Sequence, residues 1–269
     1  MTAAGDVVLY ESRNGAALMA INRPDQRNAL SIAVLSELVA AVERARDDPD
    51  ASYIVLTGAG DHAFCAGADL NEMGDASDVL AEHRGRGDLA RLFASFWGAD
   101  KPTIARVDGY CLAGGFGLAL ACDLVLATPQ SVFGAPEVKV GLWPYMITLP
   151  LIRSMPPKQA LRLMMTGERV TSDEAQRLGF VTEVVPAEAL DERVDDYAAT
   201  FRAVSLQAVA LGRRSFYSVL DHGPHARLEL LHASLGVALT MPDAAEGLAA
   251  FAAKRSPRWH GRAPDAATA

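Results

Sequence analysis

Phe64-Cys65-Ala66-Gly67-Ala68-Asp69-Leu70 and Asp108-Gly109-Tyr110-Cys111-Leu112-Ala113-Gly114-Gly115-Phe116-Gly117 are two loops made mostly of small residues. Each follows a run of β character, residues 53–57 for the first and Thr103–Val107 for the second, and each leads toward a helix-like stretch. Small side chains leave backbone N–H groups uncovered, so a ligand can approach the main chain closely. A helix start adds unpaired donors and partial positive charge. Two such donors aimed at one point make a site for negative charge developing on oxygen, as in the enolate of an ester or thioester. Gly-rich strand-to-helix turns also arise from tight packing alone. A dinucleotide fingerprint is excluded in the second loop, because Gly115-Phe116-Gly117 needs a third glycine where Leu120 stands.

Outward from these loops, strand and helix signals alternate. Residues 7–11 and 17–21 read as a hairpin turning at Asn14-Gly15. Ser31 is placed to cap a helix whose apolar face is Val34, Leu35, Leu38, Val42 and Ala45, ending near Asp47-Asp48-Pro49. The segment 75–97 is charged and glycine-containing at first, with helical character from Leu89. Leu124–Ala127 and 131–133 read as further strands. From Lys158 on the chain is mainly helical. Thr171-Ser172-Asp173-Glu174 is a capping box and Gly179 a stop for a short helix. A brief strand at 181–185 precedes helices at 187–203, 207–220, 225–239 and 243–254. The class is α/β.

A chain of 269 residues with half its residues hydrophobic can bury a substantial core. Its net charge of −8 argues against a general nucleic-acid binder. Cys65, Cys111 and Cys122 have no metal-ligand spacing and read as reduced, packed thiols of a cytoplasmic protein. Neither a signal peptide nor an apolar run of bilayer length is visible, so no membrane association is expected. His222, His225 and His232 lack accompanying ligands and read as exposed helix residues, with no metal. The tail 261–269 reads as disordered.

The two loops and their surroundings resemble the enoyl-CoA hydratase/isomerase, or crotonase, family over nearly the whole chain. The resemblance is carried by Asn22-Arg23-Pro24 with Asn28-Ala29-Leu30, by Ala66-Gly67-Ala68-Asp69-Leu70, and by Gly109-Tyr110 through Cys122-Asp123. It continues in Phe133-Gly134-Ala135-Pro136-Glu137, in Gly167 to Gly179, and in Phe251 with Lys254-Arg255. It implies a spiral of ββα units over residues 1–200, holding the CoA and acyl site. A C-terminal helical region over 201–269 would then assemble a homotrimer or a dimer of trimers. It implies an acyl-CoA substrate, with coenzyme A entering as part of the thioester and no prosthetic group.

By the same resemblance, the N–H groups of Ala68 and Gly114 form the oxyanion hole, and Glu137 is a catalytic acid/base. A carboxylate in a solvated loop, or one paired with Lys139, is the ordinary reading of Glu137 from the residues alone. Arg23, Arg27 and the Ala66 carbonyl are expected at CoA, with Phe251 and Lys254 reaching across the trimer. The chain departs from the family in one telling place. Hydratases of this family use a second glutamate three residues after the oxyanion glycine, and here that residue is Gly117. A single glutamate suffices to move a proton between C2 and C4 of a 3-enoyl-CoA, so double-bond isomerisation is the favoured reaction. Hydration, or acyl-CoA binding with weak catalysis, are the alternatives. Restoring the acid with Gly117→Glu is expected to raise hydration if the scaffold accepts it. Leu142-Trp143-Pro144-Tyr145-Met146-Ile147 replaces a Gly-rich segment and would reshape the acyl pocket, and Tyr145 is a candidate hydrogen-bond donor. Glu82, His83, Arg84 and Asp88 are further candidates, as catalytic groups or as a solvated lid.

Overall fold

A computed structural model describes residues 6–69 and 79–260, with side chains at 79–86 excepted. The expected hairpin is β1 (Val8–Arg13) and β2 (Ala16–Ile21), and Asn14 and Gly15 both adopt positive φ, as a two-residue turn between twisted strands demands. Ser31 caps α1 (Ile32–Asp47) by accepting the Val34 N–H, and the five apolar positions read from the sequence are all buried. Then come β3 (Tyr53–Gly58), β4 (Ala63–Cys65), α2 (Val79–Gly98), β5 (Thr103–Val107), β6 (Tyr110–Leu112) and α3 (Gly114–Ala121). The strands β7 (Leu124–Ala127) and β8 (Val132–Gly134) follow.

These strands sort into two sheets. One has the order β1-β2-β3-β5-β7-β10, with β10 (Glu183–Val184) at its far edge; the other is β4-β6-β8-β9, with β9 at Arg169–Thr171. Each successive pair, β3/β4, β5/β6 and β7/β8, gives one strand to each sheet, and α2 and α3 follow the first two pairs. This is the expected ββα repetition. The first-sheet strands are near-continuous apolar runs because a parallel strand is covered on both faces. The second sheet is built from three-residue strands and is the platform for the site, since both quoted loops leave it: residues 66–69 after β4 and Ala113 after β6.

Two elements differ from expectation. α2 begins ten residues before Leu89. Its first half shows no apolar periodicity, but its second half buries Leu92, Phe93 and Phe96, and such packing stabilises helices that propensity disfavours. The 142–157 stretch contains a helix, α4 (Thr148–Ser154), ahead of α5 (Pro157–Thr166). Thr171 caps α6 (Ser172–Leu178) through the Glu174 N–H, while the Glu174 carboxylate turns to Arg177 instead of closing the box.

The chain divides into a unit ending at Ala198 and one beginning at Ala199. In the second, α8 (Leu206–Val219), α9 (Pro224–Leu239) and α10 (Pro242–Ala252) follow the end of α7 (Leu190–Ala203). Buried Asp243 accepts hydrogen bonds from the Ser205 hydroxyl and the His260 N–H, which ties the segment after α10 back to the helices. α9 buries none of its side chains, and Leu228, Leu235 and Leu239 are exposed. Among the described residues, no helix is long and apolar enough to cross a membrane.

Candidate active site

The first loop is fastened by the segment before α1. Ala66 N–H donates to Arg27 O, Leu30 N–H to Gly67 O, and Asp69 N–H to Leu30 O. Asn28, fully buried, accepts from the Arg23 N–H and donates to Ala59 O and Ala63 O at 2.9 and 2.7 Å. With its neighbours so engaged, the exposed Ala68 keeps an N–H that meets no acceptor among the described residues.

The second loop turns sharply at Ala113 (φ 50°, ψ −126°), whose N–H donates to Gly134 O. A non-glycine residue held there costs about 1–3 kcal/mol, a strain typical of functional turns. Gly67 faces it: φ is +101°, and a Cβ on Gly67 would lie 2.6 Å from the Ala113 Cβ. Gly114 is the first residue of α3, so its N–H has no partner within the helix. The next glycine locks the two loops together, because a Cβ on Gly115 would sit 2.4 Å from Cys65 O. Gly115→Ala is therefore expected to lower stability by about 1–3 kcal/mol or to prevent folding, read as a drop in melting temperature.

Glu137 stands in a 3-10 turn, Pro136–Val140, that follows β8. Its Oε2 is buried without a hydrogen-bond partner among the described residues. Burial pushes the carboxyl pKa up, against a smaller downward pull from its own N–H. A pairing with Lys139 is not formed. Ala68, Gly114 and Glu137 line one cavity of about 460 Å³, together with Ala66 and the 139–147 segment. Asp69 also borders it, but its charge is met by Arg23 Nη2 at 2.8 Å.

Gly117 does not border this cavity; it lies behind Ile147, which does. A Cβ on Gly117 would lie 2.4 Å from Ile147 Cγ2 and 2.8 Å from Phe93 Cζ, both side chains being buried. This is a tertiary fact that no sequence pattern announces.

The remaining candidates separate. Arg23 is occupied by Ala29 O and Asp69. Arg27 and Ala66 border a second cavity of about 120 Å³ with Tyr110, Leu112 and Arg169, where the Arg169 guanidinium lies over the Tyr110 ring. Arg169 escaped the sequence reading because nothing in its neighbourhood marks it. Ala66 borders both cavities. Tyr145 borders the larger one with its side chain largely in solvent. Phe251 and Lys254 lie in the second unit, Phe251 87% exposed at the end of α10 and Lys254 at φ +53° just beyond it. Glu82, His83 and Arg84 fall outside the described side chains, as Leu70 and the 261–269 tail fall outside the described residues. Cys65 and Cys111 are fully buried, and burial raises both thiols, Cys65 to about 12, as expected of packed, reduced thiols.

The model of the enoyl-CoA hydratase/isomerase family matches residues 11–262. A probable mitochondrial enoyl-CoA hydratase of Dictyostelium discoideum is 35% identical over 257 residues, covering 94% of this chain and 90% of that protein. A crotonyl-CoA hydratase of Syntrophomonas wolfei is 33% identical over 250 residues, covering 92% and 95%. The crystal structure of an enoyl-CoA hydratase of Mycobacterium smegmatis superposes with a TM-score of 0.90 at 31% identity, covering 94% of this chain and 99% of that one. With its fold and nearly its full length matched in this way, the chain belongs to the enoyl-CoA hydratase/isomerase family of enzymes, which act on coenzyme A thioesters.

Proposed function

We propose that this enzyme shifts the double bond of a 3-enoyl-CoA to the 2-position, with Glu137 as its single acid/base. The observation that carries this reading is the contrast between Glu137 and position 117. Glu137 borders the cavity with a desolvated carboxyl whose Oε2 has no partner among the described residues; position 117 has no side chain and is packed with Ile147 and Phe93. Ionised Glu137 takes a proton from C2 of the substrate. The electron pair moves into the thioester carbonyl, where the N–H groups of Ala68 and Gly114 stabilise the enolate oxygen; one such donor is worth about 3 kcal/mol in the transition state. Collapse of the enolate moves the double bond to C2–C3, and Glu137 returns the proton at C4. No atom is gained or lost.

The CoA portion is assigned to the smaller cavity. Ala66 joins it to the acyl cavity, and Arg27 and Arg169 supply positive charge for phosphate. Arg23, already paired, holds the first loop in place instead. A homotrimer or dimer of trimers would cover the exposed apolar side chains of α9, and Phe251 and Lys254 would then meet CoA bound to the neighbouring subunit.

Hydration remains a second reading because the similar proteins above are named hydratases. Incubation with 3-hexenoyl-CoA and 2-hexenoyl-CoA in D2O, with products resolved by chromatography and mass, separates the two. Isomerisation gives a new peak from the 3-enoyl substrate, without added water and with deuterium at C2 or C4. A product heavier by one water from the 2-enoyl substrate, with the 3-enoyl substrate untouched, would replace isomerisation by hydration. Affinity for CoA thioesters with no turnover of either would make the chain a binding subunit.

A further inference from the structure

The acyl cavity opens onto a surface that is unusually apolar for a position in contact with water. Val140, Leu142, Tyr145 and Met146, with Ile32 from the start of α1, all border the cavity and are exposed, Val140 by 61% and Tyr145 by 76%. Single exposed apolar residues are ordinary, but several gathered around one opening mark a place that an apolar ligand covers.

The backbone beneath them is held in place. Leu142 N–H donates to Glu137 O, Tyr145 N–H to Trp143 O at 2.8 Å, and the Thr148 hydroxyl to Pro144 O at 2.9 Å. Pro144 and Ile147 are buried and anchor the turn at two points. The outward side chains are thus presented by a fixed frame, which lowers the ordering cost of binding. The same turn starts at Glu137, so whatever lies on it is continuous with the reacting carbons.

We propose that residues 140–147, with Ile32, form an acyl-recognition surface selecting a large, uncharged, apolar acyl group, extending well beyond the reacting carbons. This rests on the acyl-CoA reading above and does not depend on which reaction follows. The charges at the cavity fit an uncharged tail. The Asp69 carboxylate is neutralised by Arg23, and the Glu137 carboxyl would repel a second carboxylate. Lys139 is the one cation on the cavity wall among the described residues, and it gives the rival outcome of an acyl group ending in a carboxylate. Tyr145 here supplies an apolar ring face, which suits alkyl and aryl tails alike.

The test is calorimetric titration with saturated thioesters, which bind without reacting: butanoyl-CoA, decanoyl-CoA and decanoyl-CoA carrying a terminal carboxylate. Decanoyl-CoA is expected to bind about tenfold or more tightly than butanoyl-CoA, with a more negative heat-capacity change. The exposed pair Leu142→Ser/Tyr145→Ser is expected to fold normally, checked by thermal melt, and to reduce that ratio toward one. Equal affinities in the unaltered protein, or a ratio the double variant does not change, would overturn the proposal. Tighter binding of the carboxylated chain, lost in Lys139→Ala, would overturn it in favour of an anionic tail. Because the ligands are saturated, a preference for decanoyl-CoA stands even if 3-hexenoyl-CoA is never isomerised. Failure of every thioester to bind would sink the acyl-CoA reading along with it.

Discussion

Glu137→Gln is expected to lower kcat for 3-enoyl-CoA isomerisation by about 10²–10⁴-fold, the usual contribution of a positioned acid/base, and to make the protein more stable at neutral pH. The two effects share one cause. The carboxyl lies in the cavity wall with Oε2 buried and unpartnered among the described residues, and burial disfavours its ionised form. Its pKa in the folded protein lies above the ordinary value of 4.5. The folded state therefore holds this proton more tightly than the unfolded chain does. The stabilisation from that preference is complete below the unfolded value and is lost as pH rises through the raised folded value. At neutral pH the enzyme carries the cost of a desolvated carboxylate, and glutamine, nearly the same shape but never charged, does not. The melting temperature of Glu137→Gln should exceed that of the parent at pH 7, and the gap should close as the pH falls below 4.5. The kcat/KM profile of the parent should show an acidic limb displaced upward from the same value, because the base must be ionised to take the C2 proton. Paired melts across pH, with isomerase assays, check both. Full activity in Glu137→Gln would remove Glu137 from the chemistry. Lost activity with lowered stability at pH 7 would mean that the carboxylate has a partner when ionised.

How much of this was legible in the residues follows from the range of the interactions involved. The hairpin at Asn14-Gly15, the Ser31 cap and the apolar strands of the first sheet depend on neighbours in sequence, and they appear where local chemistry puts them. Of the second sheet only β8 showed itself. The sheet's other strands, β4, β6 and β9, are three residues long, too short for alternation to register, and they exist because other short strands lie beside them. The site divides the same way. Small residues around Ala68 and Gly114 announced uncovered N–H groups, but the Ala68 donor stays free through the fastening of the first loop by Arg27, Asn28 and Leu30, and the Gly114 donor through its place at the start of α3. Arg23 looked available for an anion until Asp69 appeared beside it. Which side chains crowd Gly117 is decided by the packing of α2 and the start of α4 against α3, and neither the glycine nor its neighbours encode that.

That crowding reverses the simplest expectation about Gly117. Gly117→Glu, by itself, is not expected to create a hydratase; it is expected to cost about 1–3 kcal/mol in stability from overpacking, with a further cost if the new carboxylate is charged. The first atom of the side chain already has nowhere to go. Its Cβ would fall 2.4 Å from Ile147 Cγ2 and 3.0 Å from Ile147 Cβ, and Ile147 is anchored at the entrance to α4. The Phe93 ring, 2.8 Å from the same point, is packed within α2 and only 3% exposed. A carboxyl forced into this wall would meet hydrocarbon and would be held protonated, unable to activate water. The wall must be removed together with the glycine. Gly117→Glu with Ile147→Gly and Phe93→Leu is expected to recover part of the lost stability and to gain hydration of 2-hexenoyl-CoA, read as a product heavier by one water. Comparing the single and triple variants by thermal melt and by mass checks the argument from both sides. A stable Gly117→Glu protein that hydrates without the other changes would show that Ile147 and Phe93 yield easily, and the glycine would then be an accident of sequence. Hydration confined to the triple variant would mean that an acid at position 117 works only once Ile147 and Phe93 make room for it.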